Sequence, residues 1–248
     1  MMSRDVAADV RNALAPSGTL RAAINFGNAV LAQKDPETNA PRGVSVDIAR
    51  ELASRLRVPL ALVTFDAAGK VFEALQGGAW DVAFLAIDPK RAAEIDFTAP
   101  YVIIEGSYMV RADSPLRAIE DVDRPGVRIA VGNGSAYELY LSRTIRHAEL
   151  VRAATGALSI EQFLRDGLEV AAGVKSPLVR YAQAHEGLRV MDGRFMAIEQ
   201  AMGTPKGRDA GASYLRGFVE ELKASGFVAD ALARSGQHDA RVAPAAPA

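Results

Sequence analysis

Cysteine is absent from all 248 residues, which excludes disulfides, thiolate metal sites and a cysteine nucleophile. Histidine is scarce. His147, His185 and His238 stand far apart, and none has a metal-ligating neighbour one helical turn away, so no metal site and no cofactor are expected. No G-x-S-x-G nucleophile elbow occurs. An excess of charge of either sign is also missing. The formal net charge is −1, which gives no footprint for nucleic acid or an anionic membrane. No apolar run approaches the roughly 18 residues of a membrane span. The first 18 residues read MMSRDVAADVRNALAPSG, and Asp5, Asp9 and Arg11 interrupt each apolar stretch. A secretory signal needs an unbroken apolar core. The sequence as written is therefore expected in the cytoplasm, and in the periplasm if its start lies elsewhere or a signal has been removed.

What remains is an ordinary globular composition, 49% hydrophobic and 24% charged, on a chain long enough for two small lobes. Val6, Val10, Ala13 and Leu14 share a helical face, and Pro16-Ser17-Gly18 ends that helix. Leu20–Asn25 reads as a buried strand, and residues 27–43 as a polar loop. Val44, Ile48, Leu52 and Leu56 form a helical stripe. Pro59–Phe65 is a strand, Gly69–Gly78 a helix, and Trp80–Ile87 an apolar strand covered on both faces. Tyr101–Arg111 is a long strand. The alternation then repeats, with strands at Val127–Gly132, Glu149–Ala153 and Glu169–Val174. Helices at Ser135–Thr144, Ile160–Arg165 and Ser176–Ala184 follow them in turn. Phe195–Gly203 is a return strand, followed by helices at Asp209–Leu222 and Phe227–Leu232. Strand–helix alternation at this spacing predicts an α/β protein with mostly parallel sheets. The Ala/Pro-rich tail from Gly236 is expected to be disordered.

Three motifs occur in order. They are Gly43-Val44-Ser45-Val46-Asp47-Ile48-Ala49-Arg50-Glu51-Leu52, Asp88-Pro89-Lys90-Arg91, and Asp96-Phe97-Thr98-Ala99-Pro100-Tyr101. Together they resemble the solute-binding proteins of amino-acid ABC transporters (bacterial family 3), over about Leu20 to Leu232. The resemblance implies a two-lobe type II periplasmic-binding-protein-like fold with a ligand cleft between lobes. Lobe one is expected at 19–105 plus 200–235 and lobe two at 106–199, with a leading helix over 1–18 and a tail over 236–248. Hinges are expected at Ile103–Ser107 and Met196–Gln200. The implied partners are a small-molecule ligand and an ABC permease, with no nucleic acid and no membrane insertion.

The resemblance also implies site residues. Arg91 stands where the family grips the ligand carboxylate, and a guanidinium matches a carboxylate with two parallel donors. Without the resemblance the residue reads first as a surface arginine pairing with Glu94. Gly134, Ser135 and Ala136 open a helix after a strand, where backbone N–H groups can meet an anion. The same residues also read as a tight turn with Ser135 as helix cap. The family's ammonium-binding hydroxyls correspond here to Phe84 and Ala86, its lobe-two aspartate to Lys175, and its aromatic platform to Ala68. An α-ammonium beside Lys175 faces like charge. The expected ligand is therefore a small anion, a carboxylate or dicarboxylate and not an ordinary α-amino acid, bound by a transport protein or a cytosolic sensor, with Phe26 and Phe84 as apolar walls. Asn25, Glu105 and Glu199 are further candidates, and the two glutamates offer the negative charge that an amino acid needs.

Two other classes remain. Asp123-Arg124-Pro125-Gly126-Val127 is similar to a stretch in dehydratases built on this fold, which makes a lyase or isomerase acting on a small carboxylic acid the alternative. Glu105, Glu199 and Lys175 would be its acid–base set. Those dehydratases carry a catalytic glutamate just after the lobe-two aspartate position, whereas Lys175–Arg180 holds no carboxylate. A conventional amino-acid transport protein is a further alternative. An effector domain like those of LysR-type regulators is disfavoured, because 18 leading residues are too few for a helix-turn-helix.

Overall fold

The computed structural model describes residues 6–247. In chain order its elements are α1 (Ala8–Leu14), β1 (Leu20–Asn25), β2 (Gln33–Lys34), β3 (Pro41–Arg42), α2 (Val44–Leu56), β4 (Leu60–Phe65), α3 (Ala68–Glu73), β5 (Val82–Ala86), α4 (Pro89–Ala92) and β6 (Ile95–Arg111). They continue with β7 (Arg128–Gly132), α5 (Ala136–Thr144), β8 (Glu149–Ala153), α6 (Gly156–Arg165), β9 (Val170–Val174), α7 (Lys175–Ala184), β10 (Leu188–Val190), β11 (Met196–Pro205), α8 (Asp209–Ala224), α9 (Phe227–Arg234) and β12 (Arg241–Val242). The chain forms two compact units. Among the described residues one comprises 6–65, 70–103 and 199–247, the other 66–69 and 104–198.

In the first unit β1 lies between parallel neighbours β4 and β5, and β11 adds antiparallel to β5. All five residues of β5 are buried, as a strand covered on both faces requires. The helical stripe of α2 is buried at Val44, Ile48, Leu52 and Leu56. Gly43 begins that helix at φ +113°, and a Cβ there would lie 2.6 Å from the Leu31 carbonyl oxygen, so only glycine fits. Trp80 is fully buried and its indole N–H donates to the Val71 carbonyl at 2.9 Å.

A carboxylate anchors this unit. The Asp81 side chain is 0% exposed and pairs with Arg21 and Arg208, each at 2.9 Å. It also accepts the Arg21 backbone N–H at 3.1 Å. Burial alone raises a carboxyl pKa, but these guanidinium bonds outweigh it and hold Asp81 below the usual range. Arg208 donates as well to the Ala13 carbonyl at 3.0 Å, which ties the end of α1 to the start of α8. The leading helix is thus packed into the unit, with Leu14 0% exposed.

The tail departs from its expected disorder. Arg241 and Val242 pair antiparallel with Ile103 and Val102 of β6. Ala243 donates to the Tyr101 carbonyl at 3.1 Å. Lys223 donates to the carbonyls of Pro100 (3.1 Å) and Pro244 (2.8 Å). A proline-rich segment can therefore be ordered by an open strand edge and one lysine, which composition does not reveal.

In the second unit β7 is central, parallel to β8 and β9, with β9 and β10 antiparallel to β6. Alternation along β7 sends Ile129 and Val131 to a core with Tyr137, Leu141 and Tyr108, and Ala130 to another with Phe163, Leu178 and Met109. The short strands β2, β3, β10 and β12 carried no periodic signal and are additions to the sequence reading.

Candidate functional site

In the first unit the candidate residues lie at the carbonyl ends of adjacent parallel strands, where α/β folds bind ligands. The β1–β5 register pairs Ala22 with Val82 and Ala23 with Ala83. Continued along the strands, it brings Phe26 level with Ala86. Asn25 turns the chain by accepting the Gly27 N–H at 2.9 Å, and Phe26 donates to the Phe65 carbonyl at 2.8 Å. The Lys34 ammonium lies over the Phe26 ring, 5.3 Å from its centroid.

After β5, Asp88 caps the single turn of α4 by accepting the Lys90 N–H at 2.9 Å, with Pro89 at the first helical position. This turn folds Arg91 back on the strand. Its guanidinium donates to the Ala86 carbonyl at 3.0 Å and the residue is 1% exposed. Phe84 and Ala86 are each 3% exposed, and Phe84 stands edge-on to Tyr101 with ring centroids 6.1 Å apart. Their bulk backs the strand end from within the core. Ile87 is 36% exposed and is the apolar surface that the strand end offers. Glu199 bonds to Ile87 only through its backbone carbonyl, at 2.9 Å, and its side chain is at the surface.

In the second unit Ala68 begins α3, and Gly69 meets the 133–134 backbone closely. A Cβ on Gly134 (φ +67°) would lie 2.6 Å from the Gly69 Cα. Ser135 caps α5 by accepting the Glu138 N–H at 3.1 Å, and Ala136 is the first helical residue. Glu138, 5% exposed, accepts the Gly134 N–H at 3.2 Å. It also takes the Ser142 hydroxyl at 2.7 Å and Arg152 at 2.8 Å. The helix start that the sequence offered to an anion therefore already holds a protein carboxylate at one of its N–H groups. The Ser135-x-x-Glu138 spacing carried that signal.

Lys175 is the first residue of α7, directly after β9. Its ammonium lies 3.4 Å from Glu105, whose other oxygen takes Arg194 at 3.0 Å. Lys175 and Glu105 side chains are each 33% exposed and Arg194 48%. One carboxylate thus sits between two cations at an accessible place. Arg194 and Lys34 were not singled out by sequence reasoning, because each comes from a segment with no motif.

Asp123, in the dehydratase-like stretch, has a structural task. It accepts the backbone N–H groups of Arg146 (3.0 Å), His147 (2.7 Å) and Ala148 (3.0 Å). Desolvation opposes its ionisation, and the three N–H donors prevail, holding its pKa low. Among the described residues no group of three or more His, Asp or Glu side chains is arranged to hold a metal ion. No helix among them is long and apolar enough to cross a membrane.

Comparison with solved structures finds the same fold at low identity. An amino acid ABC transporter substrate-binding protein from Streptococcus pneumoniae bound to L-arginine aligns with TM-score 0.77 and 18% identity, covering 94% of this chain and 99% of that one. A solute receptor for L-cysteine from Neisseria gonorrhoeae aligns with TM-score 0.79 and 18% identity, over 91% and 92% of the two chains. An ancestral amino acid-binding protein, a precursor of cyclohexadienyl dehydratase, aligns with TM-score 0.74 and 21% identity, over 90% and 98%. Comparison with curated protein sequences gives no match. The family model for bacterial extracellular solute-binding proteins, family 3, matches residues 28–237, and the chain belongs to that family.

Proposed function

We propose that this solute-binding protein takes a small carboxylate that lacks a free α-ammonium and presents it to an ABC permease. The observation that carries this reading is the Lys175–Glu105–Arg194 cluster. Glu105 already holds the Lys175 ammonium, so the protein supplies internally the cation that an amino acid would bring. With Arg194 counted, the cluster keeps one positive charge in excess, which repels a ligand ammonium and attracts an acid. Arg91, with its two-pronged donor geometry, is assigned to the ligand carboxylate. Ser135, Gly134 and Ala136 supply neutral contacts, since Glu138 already occupies one of the N–H groups there. Phe26 and Ile87 supply apolar surface.

One observation favours a second reading. Glu105 is accessible, and a carboxylate that trades Lys175 for a ligand ammonium would make the protein an ordinary amino-acid binder, as the pneumococcal structure with L-arginine is. Catalysis is supported less, because Glu105 is committed to two cations and Asp123 to backbone N–H groups.

A thermal-shift screen of carboxylic acids against free amino acids, followed by calorimetry, separates the two. A ligand at 100-fold its Kd adds about 2.7 kcal/mol of stability. Stabilisation by acids, lost on Arg91→Ala and weakened on Lys175→Ala, is the expected result. Stabilisation by amino acids alone overturns the carboxylate reading.

A further inference from the structure

We infer that Lys34 is an additional ligand-binding residue of the first unit and that it selects acids with a second carboxylate. This rests on the carboxylate reading above and deepens it from acids in general to diacids.

The argument begins with where Lys34 is held. Its Nζ lies 5.3 Å from the centroid of the Phe26 ring. That distance lies within the range in which the ring's negative face attracts an ammonium. Phe26 follows the last residue of β1, and the β1–β5 register brings it level with Ala86, the acceptor of Arg91. Adjacent strands run about 4.8 Å apart. The chain therefore brings an arginine and a lysine to the carbonyl ends of two neighbouring strands, one buried and one exposed. Two cations at neighbouring strand ends suit the two ends of a diacid.

The surroundings of Lys34 support a ligand role. The β2–β3 pairing sets Lys34 opposite Pro41, and Gln33 donates from its side chain to the Ala29 carbonyl, so the segment is tied at its base. The adjacent acid, Asp35, is turned inward on its own loop. It accepts the Thr38 N–H (2.9 Å), the Thr38 hydroxyl (2.9 Å) and the Glu37 N–H (3.1 Å). The Thr38 bonds above all hold its pKa low. Among the described residues no carboxylate stands within ion-pair distance of Lys34. Phe26 positions the ammonium without neutralising it, which is what recognition of an incoming anion requires.

Calorimetry on the wild type, Lys34→Gln and Lys34→Arg tests this, with succinate and adipate as diacids and butyrate and hexanoate as the matched monoacids. The wild type is expected to bind a diacid at least about tenfold more tightly than its monoacid, the size of one charge-assisted contact. Lys34→Gln should remove that preference and leave the monoacid affinity within about twofold, and Lys34→Arg should keep it. Lys34 is exposed, so melting curves of all three proteins should coincide. Equal binding of diacid and monoacid by the wild type overturns this inference and leaves the carboxylate reading standing. So does an equal effect of Lys34→Gln on both. Binding of free amino acids with no binding of any acid overturns both.

Discussion

Asp81 in the first unit and Glu105 in the second share one arithmetic, a single carboxylate between two cations, and differ in burial. The Asp81 side chain is 0% exposed, and its arginines 32% and 22%. The Glu105 side chain is 33% exposed, with its partners at 33% and 48%. A buried carboxylate cannot give up its partners without stranding charge, so Asp81 is structural. An accessible one exchanges partners at little cost, because water replaces them. Composition and contact type are alike in both clusters. Exposure separates the anchor from the adaptable site.

Breaking the anchor should give the largest effect. Asp81→Ala is expected to cost about 3–5 kcal/mol in chemical denaturation, because Arg21, Arg208 and the Arg21 N–H lose a common acceptor. A loss below about 1 kcal/mol would mean that the comparison fails. The acid limb of stability sharpens it. Asp81 has a lowered folded pKa, so its contribution is complete above the unfolded value of about 3.9. It is lost as pH falls through that value toward the folded one. Asp81→Asn should flatten the fall in unfolding free energy below about pH 5 relative to wild type. An unchanged slope would assign acid sensitivity to other carboxylates.

Glu138 lies between the two extremes. Its side chain is 7% exposed, while Arg152 is 46% exposed and can be solvated. Glu138→Gln should cost about 1–2 kcal/mol by urea titration, through the Gly134 N–H and Ser142 bonds that a neutral amide serves less well. A cost equal to that of Asp81→Ala would show that partner exposure is irrelevant.

The sequence made the architecture legible wherever periodicity was strong. The α2 stripe, the apolar β5 and the strand–helix alternation after Val127 all reappear. The tail was misread because Ala and Pro were weighed by composition, whereas its order comes from a β6 edge and Lys223 far away in sequence. At the candidate site, the position of Arg91 after β5 could be read from Asp88-Pro89. Its 1% exposure could not, since burial depends on how α4 folds back. Lys175 was read as a positive charge facing the ligand, and was grouped with Glu105 and Glu199 only as an acid–base set. Its pairing with Glu105 joins residues 70 apart, and no local pattern encodes such a pair. Glu138 was legible, because Ser135-x-x-Glu138 has capping-box spacing, and that signal went unused.

Glu105→Gln should give the smallest change in stability and the most informative one in binding. The Lys175 and Arg194 pairs are partly solvated, so the free energy of unfolding should move by no more than about 0.5 kcal/mol. The charge of the cluster then rises by one. If the ligand is an acid without an ammonium, its affinity should increase by about three- to tenfold at low salt, with the gain shrinking as salt is added. If the ligand is an amino acid whose ammonium Glu105 accepts, affinity should fall by at least as much, because the negative charge is gone and two cations remain. The sign of one calorimetric difference therefore decides which partner the exposed carboxylate serves. The near-constancy of the melting curve beside it distinguishes this adaptable cluster from the buried one at Asp81.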